Sequence, residues 1–285
     1  LIYRAYYGLI NAPRFTAKGL NTSAIYGFCN TLMEVLRKEE PDYIAVCFDP
    51  PKGHTFRHDV YPEYKAGRAK QPEDITNAVP YIERILEAFR IPILQVENYE
   101  ADDLIGTLSC MATKEGLTTY MMTLDKDFGQ LVNDHVFMYR PALKGEGFEV
   151  RGPEQICERY GLKRPLQVID ILALEGDASD NIPGCPGVGE KTAKTLVAEW
   201  DTVENLIDNV ASLKGALQRK IQDNAEQIVF SKFLATIKTD VPLPEGFSLS
   251  QMKRNEPDLP KLREIFTELE FKTLLSRLPA QAQGP

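Results

Sequence analysis

Eight carboxylates fall in short clusters of a kind that can hold divalent cations. They are Asp49; Glu100, Asp102 and Asp103 in Glu100-Ala-Asp-Asp103; Asp125 and Asp127 in Asp125-Lys-Asp127; and Asp177 and Asp180 in Gly176-Asp-Ala-Ser-Asp-Asn181. Singly, each has an ordinary structural explanation. Acids at a helix start complement the macrodipole, and an Asp-x-Asp after a strand makes an Asx turn. The segment at 176–181 reads as a polar turn with a helix cap. Brought together, these carboxylates would repel one another unless cations lay between them. Mg²⁺ or Mn²⁺ prefers carboxylate and water oxygens. A site wide enough for two ions, about 4 Å apart, suits in-line attack on a phosphodiester. A structural calcium site is the alternative, disfavoured because the ligands of an EF-hand crowd into one loop.

Two further segments could hold a polyanion. Residues 52–70 carry Lys52, His54, Arg57, His58, Lys65, Arg68 and Lys70 against only Asp59 and Glu63, with Phe56, Tyr61 and Tyr64 interleaved. Cations that track phosphates beside rings that stack bases suit a single strand, whereas a solvated charged loop is the plain reading. The stretch from Gly184 through Gly187 and Gly189 to Lys191, Thr192 and Lys194 permits a tight turn into a helix start, where backbone N–H groups can hold a phosphate. It lacks the Gly-Lys-Ser/Thr ending of a P-loop, so a sequence-independent grip on a DNA backbone fits better than nucleotide hydrolysis. An unoccupied helix–helix turn is the alternative.

The elements that must position these groups follow from periodicity. Residues 43–49, 91–96, 118–123 and 136–139 read as strands; Ile82, Ile85, Leu86 and Phe89 have helical spacing, and a helix is expected over 101–113. Strands alternating with helices imply an α/β fold with an open, mostly parallel sheet flanked by helices. Ligands of such sheets bind beyond the strands' carboxyl ends, which is where Asp49, Glu100 to Asp103, and Asp125 with Asp127 fall. From about Gly152 the pattern turns helical, with Pro153 at a first helical position and an apolar helix over 166–174. The expected division is a nuclease-like core over 1–150, a helical region over 151–278 and a linker-like tail over 279–285.

The 285 residues, 43% apolar and 26% charged, are those of an ordinary globular chain. No apolar run approaches the ~20 residues that span a bilayer, and the start has no signal-peptide layout, so a cytoplasmic monomer is expected. The five scattered cysteines form no Cys-x-x-Cys pair, which points away from zinc and disulfides. The net charge of −8 is unusual for a nucleic-acid binder, but acids concentrated at one site leave basic patches elsewhere.

These residues resemble the 5′ nuclease (5′-3′ exonuclease, flap endonuclease) domains of bacterial DNA polymerases I. The match is carried by Phe48-Asp49, Phe56-Arg57-His58, Tyr64-Lys-Ala-Gly-Arg68, Tyr99-Glu-Ala-Asp-Asp103, Asp125-Lys-Asp127, Gly176-Asp177 through Gly184, and Gly187-Val-Gly-Glu-Lys-Thr-Ala193. The resemblance implies a PIN-like 5′ nuclease fold with a helix-hairpin-helix-type motif over 184–200 and a helical arch over 52–75. It implies cleavage at 5′ ends, nicks and flaps of DNA and at RNA–DNA primer junctions, in replication and repair within the bacterial nucleoid, with polymerase domains in the same parent chain. It makes Asp49, Glu100 and Asp102 ligands of one divalent metal ion, with Asp103 in the same cluster, and Asp125, Asp127, Asp177 and Asp180 ligands of a second. Lys65 and Arg68, with Asp102, would serve catalysis. Tyr64 would stack a base, Arg4 and Arg57 would contact DNA, and Gly187, Gly189, Lys191, Thr192 and Lys194 would grip duplex, with K⁺ held at that motif.

The family also opens with an apolar strand carrying a metal-binding Asp, and residues 1–7 resemble the segment directly after that strand. The strand and its Asp are absent from this sequence. The expectation is a fragment or a degenerate member that binds its first metal weakly and cleaves slowly or not at all. A catalytically impaired, structure-specific DNA binder and a PIN-like ribonuclease are the competing readings.

Overall fold

The computed structural model describes residues 2–142 and 144–280; residues 281–285 of the expected tail lie outside the described residues. The elements in chain order are α1 (Ile2–Gly8), α2 (Ser23–Glu39), β1 (Val46–Cys47), α3 (Phe56–Val60), α4 (Glu73–Ala88), β2 (Ile93–Leu94), α5 (Ala101–Lys114), β3 (Thr119–Met122), β4 (Val136–Pro141), β5 (Phe148–Arg151), α6 (Pro153–Tyr160), α7 (Val168–Glu175), α8 (Glu190–Trp200), α9 (Val203–Asp208), α10 (Gly215–Asp223), α11 (Ala225–Ala235), α12 (Leu259–Glu268) and α13 (Lys272–Arg277). They form two compact units, each assembled from separate stretches of chain.

The first unit comprises residues 1–48, 70–94 and 245–285. Its core is made by helices with one apolar stripe each. Ile25, Phe28, Cys29, Leu32 and Leu36 on α2 and Ile75, Ala78, Ile82, Ile85 and Leu86 on α4 are buried at 3–4-residue intervals. Phe266 and Phe271 are fully buried among them. The expected strands at 43–49 and 91–96 are present as a short parallel pair, with Val46 opposite Ile93 and Cys47 opposite Leu94.

The second unit comprises residues 49–69 and 95–244 and contains all eight carboxylates. Here β3 pairs in parallel with β4, as expected. The antiparallel β4–β5 hairpin was not anticipated: Phe148 to Arg151 is too short to reveal a period. Pro153 starts α6, and Gly161, in the left-handed region at φ 66°, ends it. The apolar run over 166–174 opens with a 3₁₀ turn, Pro165–Gln167, before α7. Residues 168–174 of α7 are all buried, the condition of a helix that is apolar all round. The α/β class therefore holds, with sheets much smaller than the sequence runs imply.

Candidate active site

Four local devices set out the carboxylates. The backbone N–H of Ala101 donates to Asp49 Oδ1 at 2.8 Å, so Asp49 sits at the start of α5, where the unpaired N–H groups favour an anion. Glu100 precedes α5 directly, and Asp103 accepts from the Glu100 N–H at 3.2 Å. Asp125 follows β3 and accepts from the Asp127 N–H at 2.9 Å, the Asx turn that starts the 3₁₀ helix Lys126–Leu131. Asp177 accepts from the Ser179 N–H at 2.9 Å and the Ser179 hydroxyl at 2.7 Å. Its loop is pinched shut by Gly176 and Gly184: a Cβ on Gly184 would lie 2.5 Å from the Gly176 nitrogen.

Among the described residues, Asp127, Asp177 and Asp180 each present an oxygen, and these lie within 4.8 Å of one another. Asp127 Oδ1 is buried without a hydrogen-bond partner. Burial and the charges of Asp125, Asp177 and Asp180 push the Asp127 carboxyl up to about 7. Burial, followed by Glu100, Asp125 and Asp49, raises Asp102 well above the carboxylate range. Burial and the nearby Asp180 and Asp177 raise Asp125 as well. Glu100 goes the other way. Its burial opposes ionisation, but Lys65 and Arg57 outweigh that and hold it below its ordinary value. An oxygen-only donor set, crowded by like charge and holding an orphaned oxygen, fits a hard divalent cation. The residues that fit are Asp127, Asp177 and Asp180, with Asp125 and Asp102 beside them.

The cations of residues 57–68 are turned onto these acids. The Lys65 ammonium pairs with Glu100 and the Arg68 guanidinium with Asp180. The Lys65 N–H donates to the Asp180 carbonyl at 2.8 Å, and the Asn181 side chain to the Glu63 carbonyl at 2.8 Å. Lys65 and Asn181 both take left-handed backbone at φ 58° and 59°, which is common for Asn but unusual for Lys, and the pairing of these two segments holds Lys65 there.

Three expected roles need correction. Arg57 is 2% exposed and cannot lie on a DNA-facing surface. It donates to Asp103 through both terminal nitrogens at 2.8 and 2.9 Å, to Glu100, and to the carbonyls of Leu234 and Thr236 at 2.9 and 2.7 Å. Asp103 is fully buried and consumed by Arg57, the Glu100 N–H and the Lys238 N–H, so it has no oxygen left for a metal. Tyr64 is 5% exposed, with its hydroxyl on Glu100, which removes its ring from base stacking. The sequence missed the Leu234 and Thr236 carbonyls altogether, because backbone acceptors carry no residue signal.

The remaining expected residues are at the surface. Gly187 and Gly189 are exposed before α8, Lys191 and Thr192 lie in its first turn, and Lys194 pairs with Glu190 at 3.0 Å. Lys220 Nζ donates to the Gly187 carbonyl at 3.3 Å. Arg4 lies exposed on α1 of the other unit.

Two family models match the sequence. Residues 1–161 match the 5'-3' exonuclease, N-terminal resolvase-like domain, and residues 163–260 the 5'-3' exonuclease, C-terminal SAM fold. The chain belongs to the 5'-3' exonuclease family. DNA polymerase I of Bacillus subtilis is 41% identical over 283 residues, which cover 98% of this chain and 31% of that protein. The thermostable DNA polymerase I of Thermus aquaticus is 40% identical over 275 residues, 96% of this chain and 31% of that protein. The chain thus spans about a third of the length of the curated relatives it matches. Among solved structures, T5 5'-exonuclease with bound zinc shares the fold at TM-score 0.66 and 19% identity, covering 84% of this chain and 86% of that one. The catalytic core of Rad2 in complex with DNA substrate does so at TM-score 0.59 and 16% identity, covering 98% and 90%. No helix among the described residues is long and apolar enough to cross a membrane.

Proposed function

We propose that this chain is the nuclease portion of a DNA polymerase I, a metal-dependent 5′-3′ exonuclease and flap endonuclease acting on 5′ ends, nicks, flaps and primer junctions. The observation that carries the proposal is the Asp127–Asp177–Asp180 cluster with its orphaned Asp127 oxygen. Asp125, Asp127, Asp177 and Asp180 would hold one divalent ion, and Asp49, Glu100 and Asp102 another. Ions bound there supply an activated water and neutralise charge on the phosphodiester. Lys65 and Arg68, already among the carboxylates, would donate to the phosphate oxygens and hold the scissile group in line. Burial of Arg57 and Tyr64 fixes Glu100 and keeps water from its back. The exposed turn at Gly187–Gly189 and the start of α8 would grip a duplex backbone, with K⁺ at the turn. On this reading residues 1–150 supply most of the metal site, and residues 151–278 add Asp177 and Asp180 to it and the duplex grip, in a cytoplasmic monomer.

The test is cleavage of a 5′-flap duplex in Mg²⁺ or Mn²⁺. Asp177→Asn and Asp125→Asn should each lower cleavage at least about 100-fold while flap binding survives. Binding lost in parallel would contradict the metal role, and flap binding with no wild-type cleavage would leave a structure-specific DNA binder. Preference for single-stranded RNA would favour the ribonuclease reading.

A further inference from the structure

Two arginines, Arg151 on β5 and Arg159 on α6, are absorbed by none of the roles above. Arg159 Cζ and Lys194 Nζ lie 5.4 and 5.5 Å from the centroid of one ring, Tyr160, so cations of two different helices converge on it. Arg151 ends β5, two residues before α6 begins. The register places Arg140 opposite Glu149, and Arg151, two residues on, shares that face. Arg140 is nearly buried and pairs with Glu149 at 3.3 Å. Arg159 is exposed and Arg151 half-buried, and among the described residues neither forms an ion pair. Burial and the charges of Arg140 and Arg159 pull the Arg151 guanidinium below its usual value. Glu190 is held low first by Lys194, and more weakly by Lys126 and Arg159. The cations therefore run from Lys126, between two candidate metal ligands, past Lys194 to Arg159 and Arg151, with Glu149, Glu175 and Glu190 as counter-charges on that path.

Guanidinium groups massed beyond their counter-ions relieve that repulsion by taking an anion, and their forked donors match phosphate oxygens. Tyr160 is 6% exposed, so the ring on which these cations converge is not offered to an unstacked base. Cations without a free stacking surface fit a duplex backbone better than a single strand. We propose that Arg151 and Arg159 extend the grip of Lys194 into a strip that contacts successive phosphates of duplex DNA leading away from the metal site.

The inference rests on the DNA reading above, and its test separates the two. Binding of the full chain to a fluorescent flap duplex several helical turns long is measured in EDTA, so that no strand is cut, over a KCl series. The slope of log Kd against log[KCl] should fall by about 2 in R151Q/R159Q, because each phosphate contact releases about one counterion. The exposed pair Lys261 and Lys272 controls for net charge: K261Q/K272Q should keep the wild-type slope. R151K/R159K, which retains the charges, should keep most of it. Should R151Q/R159Q fail to fold, R159Q alone, at an exposed position, should lower the slope by about 1. An unchanged slope in the glutamine variants, or an equal fall in K261Q/K272Q, overturns the strip. A wild type that does not bind the duplex overturns the DNA reading itself.

Discussion

The arginine in Phe56-Arg57-His58 illustrates how little a residue's type says about its task. Within a basic run it reads as one more surface cation, yet it is the anchor of two carboxylates at the start of α5, Glu100 just before it and Asp103 in its first turn. Removing one partner of a buried ion pair leaves a bare charge in a low-dielectric interior. Arg57→Met should therefore cost about 3–5 kcal/mol in urea denaturation; a loss below about 1 kcal/mol would show that something else holds Asp103. Asp127 gives the opposite case, an acid with too few partners. Its carboxyl rises from 3.8 to about 7 in the fold. A folded-state value above the unfolded one stabilises the fold at low pH, and that contribution is lost as pH climbs from about 4 to about 7. The metal-free protein should melt at progressively lower temperature through that window. Asp127→Asn should flatten the decline, as thermal melts in EDTA would show. A decline of equal steepness in the variant would remove Asp127 as its source.

At the scale of elements, the loop after α7 depends on two glycines. Gly176 and Gly184 have φ of 74° and 63°, and added Cβ atoms would meet backbone, not a flexible side chain. Left-handed backbone alone costs an alanine about 1–2 kcal/mol, and the clash adds to it. Gly184→Ala should lower stability by more than about 2 kcal/mol and weaken Mn²⁺ binding through Asp177; an ordinary surface-like loss below about 0.5 kcal/mol, measured by urea denaturation, would refute the packing argument. Helices α4 and α5 were legible because each repeats apolar residues at 3–4-residue intervals, and α5 has an acidic start. The strands were legible as apolar runs, but their length was not. A run such as 43–49 shows that a segment is buried, and only the neighbours available for pairing decide how many of its residues join a ladder. In β1 two do. β5 escaped notice because four residues complete too few alternations to stand out.

At the scale of the whole molecule, each unit has its own apolar core, and every candidate metal ligand belongs to the second. Phe266→Ala, in the core of the first unit, should cost about 3–5 kcal/mol and leave Mn²⁺ affinity unchanged when measured calorimetrically well below the melt. A parallel loss of metal affinity would contradict this separation.

The sequence alone determined which acids could serve: their types, their clusters at 100–103, 125–127 and 177–180, and the glycines that allow the turns are local properties of the chain. The resemblance of those motifs led to the family that the matched models show. Only the tertiary structure decided how each carboxylate is already partnered. Asp103 is neutralised by Arg57 and Glu100 by Lys65, whereas Asp127 keeps an unpartnered oxygen. Those outcomes turn on burial and on partners 35 to 46 residues away along the chain. No spacing rule reaches that far, because such pairs are set by the packing of whole elements.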